Sequence, residues 1–498
     1  MPRGCGYPES MVEALLCHAA QAPEAVAVED TEGRRLTYSG LLRAAQAAAG
    51  LLAERFNVSA GDVVAVAPIN TVDAAVALYG VWMAGAAAAV VDPLSHSMDL
   101  DMQLEQLRGR LRLFITHEGL GEAHCSVARR HGAGCVEAER LAGEAAGRGA
   151  WEGYHRPRGW MDSIIYFYAG IAGRTLPVVH SHGGVAASAH TVAEHYGLDG
   201  GDAVFVSAPV SHALGLQVSM LAALYAGGRA VLYTKRGRLD PRDAAEKLAS
   251  SGAAMVLGAP GFYQALLGAG YKGHRGLRYA VSAGAPLPVE TQRSWLEATG
   301  VELLQLYGMT EAAPLTATLP GDNPPGSIGR PMPGVEARLV DPEDPGRPAE
   351  GGVGELLARG PMVMRGYGDP EETRRALLPG GWLRTGDILA VDGEGRFYFR
   401  GVRKRMLKYK GYPIFPRDLE AILERHPAVA RAVVEGEPAG ELGQVPVARV
   451  WLKPGARASE RELLEWVNSR VAGYKQVRRL VIEGEAEATN GGRGVGER

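Results

Sequence analysis

Apolar residues along the chain switch repeatedly between the spacing of a helix and the unbroken runs of a buried strand. Helical spacing occurs in Met11–Ala20, Leu36–Ala53 and Asn70–Ala84. Short apolar runs typical of buried strands occupy Asp62–Pro68, Ala87–Val91, Leu111–Thr116, Asp162–Tyr168, Ala203–Ala208, Ala230–Tyr233, Ala254–Leu257, Leu277–Ser282 and Val301–Leu306. This alternation predicts an α/β fold with largely parallel, doubly wound sheets.

The pattern changes near Gly351, where strand-like pieces separated by turns replace the helix–strand alternation. These pieces cover Val353–Ala358, Gly381–Leu383, Asp387–Val391 and Arg396–Arg400 and predict a β-rich subdomain. A compact end follows, with helices predicted at Pro416–His426 and Ser459–Ala472 and strands at Ala428–Glu435 and Pro446–Lys453. Because 498 residues exceed one ordinary domain, we expect a large N-terminal domain over residues 1–400 and a small α+β domain over 401–498.

Composition and charge exclude several classes of partner. The chain has 46% apolar and 22% charged residues and a net charge of −3, so nothing favours nucleic acid or an anionic membrane. The most apolar stretch, Ala74–Val91, is bounded by Asp73 and Asp92, which predicts a buried helix and strand rather than a membrane span. Four cysteines, in pairs spaced 12 and 10 residues apart, predict neither a disulfide framework nor a zinc site and favour a reducing cytoplasm.

Two short motifs suggest chemistry but lack the context that it requires. Gly268–Gly273 satisfies GxGxxG, but it follows the helix-like stretch Phe262–Leu267 rather than a strand, so chance in a glycine-rich chain explains it better than dinucleotide binding. His180-Ser181-His182 has two imidazoles on alternating positions. Since no third ligand lies nearby, we interpret it as a loop or strand end rather than a metal site.

A stronger candidate is Tyr307–Glu311, which reads YGMTE after the apolar run ending at Leu306 and is expected to turn through Gly308. A carboxylate at the end of a buried strand is a common holder of Mg²⁺ beside a phosphate, although a solvated turn fits these five residues equally well. Small residues in Ser282–Pro286 would admit a flat ring. Asp387, after Gly386 near a strand end, suits two ribose hydroxyls.

The ordered set of motifs resembles the adenylate-forming superfamily of acyl-CoA synthetases, peptide-synthetase adenylation domains and luciferases. The resemblance covers nearly the whole chain, and the order of the motifs is more specific than any one of them. It rests on Leu36–Ser39, Asn70–Pro93, Ala208-Pro209 with His212 and Gly215, Ser282–Pro286, Tyr307–Glu311, Thr385–Asp387, Lys408–Gly411, Glu441–Pro446, Val450–Gly455 and Ala472–Lys475.

The resemblance implies an enzyme that uses ATP and Mg²⁺ to convert a carboxylic acid to an acyl-adenylate and then transfers the acyl group to coenzyme A. The small C-terminal domain is expected to rotate between the two steps. Glu311 would ligate Mg²⁺, and Thr310 would contact the α-phosphate. The implied nucleotide site contains Gly284, Ala285, Pro286, Tyr307, Gly308 and Asp387, the implied acyl pocket contains His212 and Ala283, and the implied coenzyme A site contains Lys408, Lys410 and Gly411.

The chain departs from the family pattern where phosphates are handled. In the phosphate loop, Gly170, Gly173 and Arg174 are the implied contacts, while Leu176 stands where the family has a lysine. Val402 occupies the place of a ribose-binding arginine, with Arg403 beside it. Near the C-terminus Arg493 replaces a lysine that stabilises charge during adenylation, and its planar fork differs from an ammonium in reach and hydration.

Three hypotheses follow: an active acyl-CoA ligase, an enzyme competent only in thioester formation from a ready-made adenylate, or a non-catalytic relative that binds nucleotide, acyl-adenylate or a partner protein. A nicotinamide oxidoreductase, resting on GxGxxG alone, is the alternative from another class. The mostly small or apolar pocket residues favour a fatty or aryl acid without selecting one. The oligomeric state stays open, with a homodimer as one expectation.

Overall fold

The computed structural model describes residues 5–168, 175–235, 239–402, 407–410, 412–414 and 416–485. The chain divides into two compact units, Met1–Lys404 and Arg405–Arg498, each with its own secondary structure. Within the described ranges, every helix falls short of the length and apolar character that a membrane crossing requires.

The first unit interleaves helices and strands. Its helices are α1 (Met11–Gln21), α2 (Tyr38–Phe56), α3 (Val72–Met83), α4 (Ser97–Glu105), α5 (Gly121–Arg130), α6 (Ala138–Ala146), α7 (His182–Tyr196), α8 (Ala213–Gly215), α9 (Leu221–Tyr225), α10 (Pro241–Ser251), α11 (Pro260–Gly268), α12 (Val289–Thr299) and α13 (Pro370–Ala376). Its strands are β1 (Val26–Asp30), β2 (Arg35–Thr37), β3 (Val63–Val66), β4 (Ala87–Val90), β5 (Leu111–Thr116), β6 (Gly134–Glu137), β7 (Asp162–Tyr168), β8 (Leu176–Ser181), β9 (Ala203–Val206), β10 (Arg229–Leu232), β11 (Met255–Gly258), β12 (Tyr279–Ser282), β13 (Leu303–Met309), β14 (Ala312–Ala317), β15 (Ser327–Pro331), β16 (Glu336–Val340), β17 (Val353–Arg359), β18 (Gly366–Tyr367), β19 (Leu377–Leu378), β20 (Trp382–Val391) and β21 (Phe397–Val402).

One sheet has the strand order β18-β8-β7-β4-β3-β5-β6. Strands β7, β4, β3, β5 and β6 are parallel, whereas β8 is antiparallel to both β7 and β18. The residues of β3 and β4 are buried throughout, as expected for central parallel strands covered on both faces. Helix α3 is also wholly buried, and Gly80 lets it approach α2, since a Cβ there would lie 2.9 Å from Ala48 Cβ. The buried helix and strand predicted within Ala74–Val91 are therefore confirmed.

A second sheet changes character along its width. Strands β1, β10, β9, β11, β12 and β13 are parallel neighbours. From β13 onward the ladder is antiparallel through β14, β15, β21, β20, β17 and β16. The predicted α/β fold with a large N-terminal domain and a β-rich part is thus confirmed, and the change to antiparallel pairing occurs at β13.

Three predicted boundaries are wrong. The residues of Leu36–Ala53 split between β2 and α2, because Thr37 caps α2 by accepting the Gly40 N–H at 3.1 Å. Trp382-Leu383 and Asp387–Val391 belong to the single strand β20, because its ladder with β17 continues on both sides of Gly386, and Gly381 precedes the strand. Strand β13 continues through Gly308 to Met309 rather than turning there, because β14 pairs with it as far as Met309.

The expectation that the four cysteines do not form a disulfide framework is also wrong, because disulfide bonds link Cys5 to Cys17 and Cys125 to Cys135. Folding brings the Cα atoms of these pairs to 5.8 and 5.4 Å, inside the range that a disulfide spans. The first pair ties the N-terminal segment to α1, and the second ties α5 to β6. The argument for a reducing compartment, which rested on unpaired thiols, therefore loses its basis.

The second unit is a small α+β assembly. Its elements are β22 (Leu407–Tyr409), β23 (Tyr412–Ile414), α14 (Pro416–Glu424), β24 (Val429–Pro438), β25 (Gln444–Leu452), α15 (Glu460–Asn468) and β26 (Arg479–Glu485). Strands β24, β25 and β26 form one sheet, and β22 pairs with β23. Helix α15 begins with a capping box, since Ser459 and Glu462 each bond the backbone N–H of the other. The small C-terminal domain predicted from the sequence is confirmed.

Candidate functional site

Thr310 and Glu311 form the turn between β13 and β14, where Met309 pairs with Ala312. Glu311 is fully buried, with 0% of its surface exposed. Its carboxylate oxygen Oε1 accepts a hydrogen bond from the Tyr367 hydroxyl at 2.6 Å. Its backbone carbonyl accepts the Met364 N–H at 2.7 Å. The acidic residue of the YGMTE motif is therefore an internal group held by the segment around β18, and not part of a solvated turn.

His180 contacts the same turn from β8. Its Nε2 lies 2.7 Å from the carbonyl oxygen of Thr310, and because a carbonyl only accepts, Nε2 is the protonated nitrogen. Burial lowers the pKa of His180 to about 4, so the ring is neutral at neutral pH. His182 begins α7, and burial lowers its pKa to about 3. The interpretation of His180-Ser181-His182 as a strand end is confirmed, and His180 has a specific partner that the sequence did not indicate.

Tyr307 and Asp387 meet in the structure although 80 residues separate them. The Tyr307 hydroxyl donates to Asp387 Oδ2 at 2.7 Å. Desolvation, and then the negative charge of Asp387, raise the pKa of Tyr307 well above its ordinary value, so the hydroxyl keeps its proton. The Asp387 N–H donates to Thr385 Oγ1 at 3.1 Å. The Tyr307–Asp387 hydrogen bond therefore brings the residue expected to contact adenine against the residue expected to bind the ribose.

A buried ion pair supports the part of β20 that contains Asp387. Glu355, on β17, is 1% exposed and accepts two bonds from the Arg384 guanidinium, one of them from Nε at 3.2 Å. The same carboxylate accepts the Gly386 N–H at 3.1 Å. The Thr385 hydroxyl donates to the Leu356 carbonyl at 2.8 Å. Through its bond to the Gly386 N–H, Glu355 fixes the backbone of the Thr385–Asp387 segment.

Gly284, Ala285 and Pro286 lie in an accessible turn at the carboxyl end of β12. The Ala283 N–H donates to the Gly258 carbonyl at 3.0 Å, and Ala283 itself is buried. Gly284 is exposed with φ +81°, and a Cβ built on it would meet no atom within 4 Å. Ser282 pairs with Gln305 in the parallel ladder, so this turn leaves β12 at the end of the sheet toward which β13 continues through Tyr307 and Gly308. The carboxyl ends of adjacent parallel strands are where α/β sheets bind ligands.

The candidate acyl-pocket residue His212 lies in the loop between β9 and α8. It precedes α8, and its Nε2 is 3.8 Å from Asp92 Oδ2, which follows β4 in the other sheet. Asn70, after β3, donates to the carbonyls of Val206 and Ala208 at 3.0 Å each. These contacts bring strand ends of the two sheets together around the loop that carries His212.

The candidate coenzyme A residues belong to the second unit. Lys410 has φ +52°, its N–H donates to the Leu442 carbonyl at 2.8 Å, and its Nζ lies 5.2 Å from the Tyr409 ring centroid, a cation–π distance. Lys408 lies in β22, where only its backbone is described. Several other sequence candidates lie outside the described residues, namely Gly170, Gly173, Arg174, Arg403, Gly411 and Arg493.

Two observations bear on the departures from the family pattern. Leu176, which the family resemblance aligns with the lysine of the phosphate loop, begins β8 and is 2% exposed, so it is a core residue. Val402 pairs with Asp387 across the β20–β21 ladder and is 38% exposed. Neither side chain offers a charge to a phosphate or a hydrogen bond to a ribose.

The sequence missed four residues that shape this site: His180, Glu355, Tyr367 and Arg384. A usable signal existed for two of them. Glu355 interrupts the apolar strand run after Val353, and a charge inside a buried strand calls for a partner. His180 similarly interrupts the apolar run of β8. Nothing in sequence spacing linked Tyr367 to Glu311, which lies 56 residues earlier.

Comparison with known proteins agrees with this architecture. The model of the AMP-binding enzyme family matches residues 17–368, and that of the AMP-binding enzyme C-terminal domain matches residues 418–493. The chain is 29% identical to 4-coumarate--CoA ligase-like 4 of Oryza sativa subsp. japonica, over 95% of this chain and 89% of that protein. It is 33% identical to the long-chain-fatty-acid--CoA ligase of Bacillus subtilis, over 63% of this chain and 57% of that protein.

Solved structures give the same result. The crystal structure of ATP-bound MatB from Rhodopseudomonas palustris superposes with a TM-score of 0.73 at 25% identity, covering 95% of each chain. The o-succinylbenzoate CoA synthetase of Bacillus subtilis gives a TM-score of 0.83 at 24% identity over 94% of each chain, which is evidence for the fold. The chain is an enzyme of the AMP-binding family, to which acid–thiol ligases such as these relatives belong.

Proposed function

We propose that this protein is an acyl- or aryl-CoA ligase. In the first step a carboxylate oxygen attacks the α-phosphorus of ATP, forming the acyl-adenylate and releasing pyrophosphate. In the second, the thiol sulfur of coenzyme A attacks the acyl carbon and releases AMP. The observation that carries the proposal is the Tyr307–Asp387 hydrogen bond of 2.7 Å, because it joins the residues proposed for adenine and ribose into one proposed nucleoside platform, to which the Gly284 turn after β12 also belongs.

The platform residues suit the parts of a nucleotide. Gly284, Ala285 and Pro286 leave an accessible surface that a flat base can approach closely, and the Tyr307 ring is the proposed stacking partner of that base. Asp387 has acceptor oxygens for the two ribose hydroxyls, since a carboxylate accepts more bonds than the single one from Tyr307.

The residues on the phosphate side are a second part of the proposal. Thr310 would contact the α-phosphate. Gly170, Gly173 and Arg174 of the phosphate loop, together with Arg403 and Arg493, are proposed phosphate or ribose contacts on sequence grounds. His212 would border the acyl group with Ala283. Lys408, Lys410 and Gly411 would meet coenzyme A.

The chemistry of Glu311 fits a divalent cation that is shared with the nucleotide. Among the described residues, no three His, Cys, Asp or Glu side chains gather in the manner of a protein-only metal cage. Mg²⁺ does not need one, because it is commonly bound by one or two carboxylates together with substrate phosphates and water. The buried Glu311 carboxylate, with Oε1 fixed by Tyr367, is a suitable ligand. When bound, Mg²⁺ neutralises charge on the phosphates.

The acid is proposed to be fatty or aromatic. Of the relatives named above, one is named as a long-chain-fatty-acid--CoA ligase and the other as similar to 4-coumarate--CoA ligase. Val210 and Leu216, on either side of His212 in the segment after β9, are buried and apolar. Such a wall favours an uncharged acyl body over one that carries an ammonium group.

A second candidate function is that of a relative that binds nucleotide or acyl-adenylate without efficient adenylation. The buried Leu176 favours it, because the phosphate loop there lacks the cation that its family supplies. Losing one transition-state donor typically lowers the rate by about 10²–10³-fold.

Pyrophosphate release separates the two candidates. The purified chain is supplied with ATP, Mg²⁺ and a panel of fatty and aryl acids, with Glu311→Ala as the inactive comparison. We expect slow release that depends on the acid and disappears in Glu311→Ala, with acyl-CoA formed when coenzyme A is added. No release with any acid, alongside thermal stabilisation by AMP, would assign the chain to the binder.

A further inference from the structure

The Glu311 carboxylate is positioned by a side chain outside the motifs that define the family resemblance. Tyr367 donates its hydroxyl to Glu311 Oε1 at 2.6 Å, and both side chains are buried. An O–H to carboxylate bond of this length is in the range of charge-assisted hydrogen bonds, which are about twice as strong as neutral ones. The bond holds one carboxylate oxygen and thereby sets the direction of the other lone pairs.

Tyr367 is itself held from two sides. It pairs with Val178 in the β18–β8 ladder. Its N–H donates to Thr373 Oγ1 at 2.8 Å, and Thr373 lies on α13. Gly366 permits this approach, because a Cβ there would lie 2.7 Å from Thr373 Cγ2. The hydroxyl of Tyr367 is therefore presented to Glu311 from a fixed backbone.

The backbone around Glu311 is fixed by separate contacts. His180 Nε2 donates to the Thr310 carbonyl, and the Met364 N–H donates to the Glu311 carbonyl, each at 2.7 Å. With the peptide groups on both sides held, the remaining freedom of Glu311 is the rotation of its own side chain. Tyr367 restricts that rotation.

We propose that Tyr367 is a positioning residue that orients the Glu311 carboxylate toward a divalent cation bound with the nucleotide phosphates. The inference rests on the proposed function, since it requires Glu311 to be a cation ligand. Hydrogen-bond partners of metal ligands usually account for about 10–100-fold in metal affinity. Removing the Tyr367 hydroxyl should therefore weaken cation binding, while the nucleoside platform around Asp387 keeps its affinity for AMP.

The test uses Mn²⁺, whose free concentration is measured by electron paramagnetic resonance, with the full chain and a non-hydrolysable ATP analogue. In Tyr367→Phe we expect the Kd for Mn²⁺ to rise about 10–100-fold. The Kd for AMP, measured without metal, should change less than about twofold. The matched control is Tyr271→Phe, which removes a buried hydroxyl that bonds His274 at 2.7 Å in a separate hydrophobic cluster. We expect it to leave both constants unchanged.

A double-mutant cycle with Glu311→Gln strengthens the test. If Tyr367 acts through Glu311, adding Tyr367→Phe to Glu311→Gln should cause little further loss of Mn²⁺ affinity. Wild-type Mn²⁺ affinity in Tyr367→Phe, or an equal loss of AMP affinity, would overturn the positioning role. Failure of the wild-type chain to bind Mn²⁺ with the analogue, or unchanged affinity in Glu311→Gln, would instead overturn the assignment of Glu311 on which it rests.

Discussion

Replacing Arg384 with methionine removes the cation from a carboxylate that the fold has buried. Glu355 is 1% exposed and Arg384 is 21% exposed, so water screens the pair poorly. Breaking a buried ion pair by removing one partner costs about 3–5 kcal/mol, because the other charge stays in the interior. We expect Arg384→Met to lower the free energy of unfolding by that amount, measured by urea denaturation.

The control is an ion pair of the same type on the surface. Arg347 and Asp344 are 77% and 53% exposed and lie 3.0 Å apart. Exposed pairs contribute about 0–1 kcal/mol, so Arg347→Met should shift the denaturation midpoint little. Replacing both Glu355 and Arg384 with methionine should restore much of the stability, because no charge is then left buried. Equal losses in Arg384→Met and Arg347→Met would refute the reasoning.

The same variant has a consequence for the nucleotide. The Glu355 carboxylate also accepts the Gly386 N–H at 3.1 Å, one residue before Asp387. At an AMP concentration of 100 times its Kd, a protein gains about 2.7 kcal/mol of stability from the ligand. At that AMP concentration Arg384→Met should gain less than the wild type, because Asp387 is less firmly presented. A full gain would show that Asp387 holds its position without the ion pair.

Two further predictions concern backbone space and pH. Gly329 has φ +82°, and a Cβ there would lie 1.9 Å from the Ala317 carbonyl oxygen. Gly329→Ala should therefore lower the free energy of unfolding by about 3 kcal/mol or more, as measured by urea denaturation. The control is Gly326→Ala, at φ +79° with no atom within 4 Å of the new Cβ, which should cost about 1 kcal/mol. Burial lowers the pKa of His180 from 6.5 to about 4. As the pH falls, the unfolded chain therefore protonates this histidine before the folded chain does. The contribution of His180 to the free energy of unfolding should fall by on the order of 3 kcal/mol between pH 6.5 and pH 4. His180→Gln should flatten that dependence, and an unchanged slope would contradict a buried neutral ring.

Regular elements could be predicted from the sequence because their signal is local. The unbroken apolar runs of β3 and β4 are buried throughout, as central parallel strands require. Helix α3, which is apolar on nearly all sides, is likewise buried along its whole length. The boundaries failed where a local signal competes with a tertiary one: β13 continues through Gly308 because pairing with β14 outweighs the tendency of a glycine to end a strand.

The contacts that hold the candidate site have no local signal. Tyr307 and Asp387 are 80 residues apart, Tyr367 and Glu311 are 56 apart, and Arg384 and Glu355 are 29 apart. The sequence shows that each of these residues is polar and lies in or near a strand. It does not show the partner, because the partner depends on which strands become neighbours in the folded sheet. The cysteine pairs failed for a related reason, because a spacing of 12 or 10 residues does not give the distance between two Cα atoms after folding.

The same contacts separate nucleotide binding from turnover in the proposed function. The Asp387 carboxylate accepts a hydrogen bond from Tyr307, and Glu355 accepts the N–H of Gly386, the residue before Asp387. The Glu311 carboxylate accepts a hydrogen bond from Tyr367. All of these partners lie outside the phosphate loop, so divergence in that loop leaves them in place. By contrast, Leu176, which the family resemblance aligns with the loop's lysine, is a core residue. A chain built in this way should therefore retain affinity for AMP even where its adenylation rate has fallen, and the two quantities should respond to different substitutions.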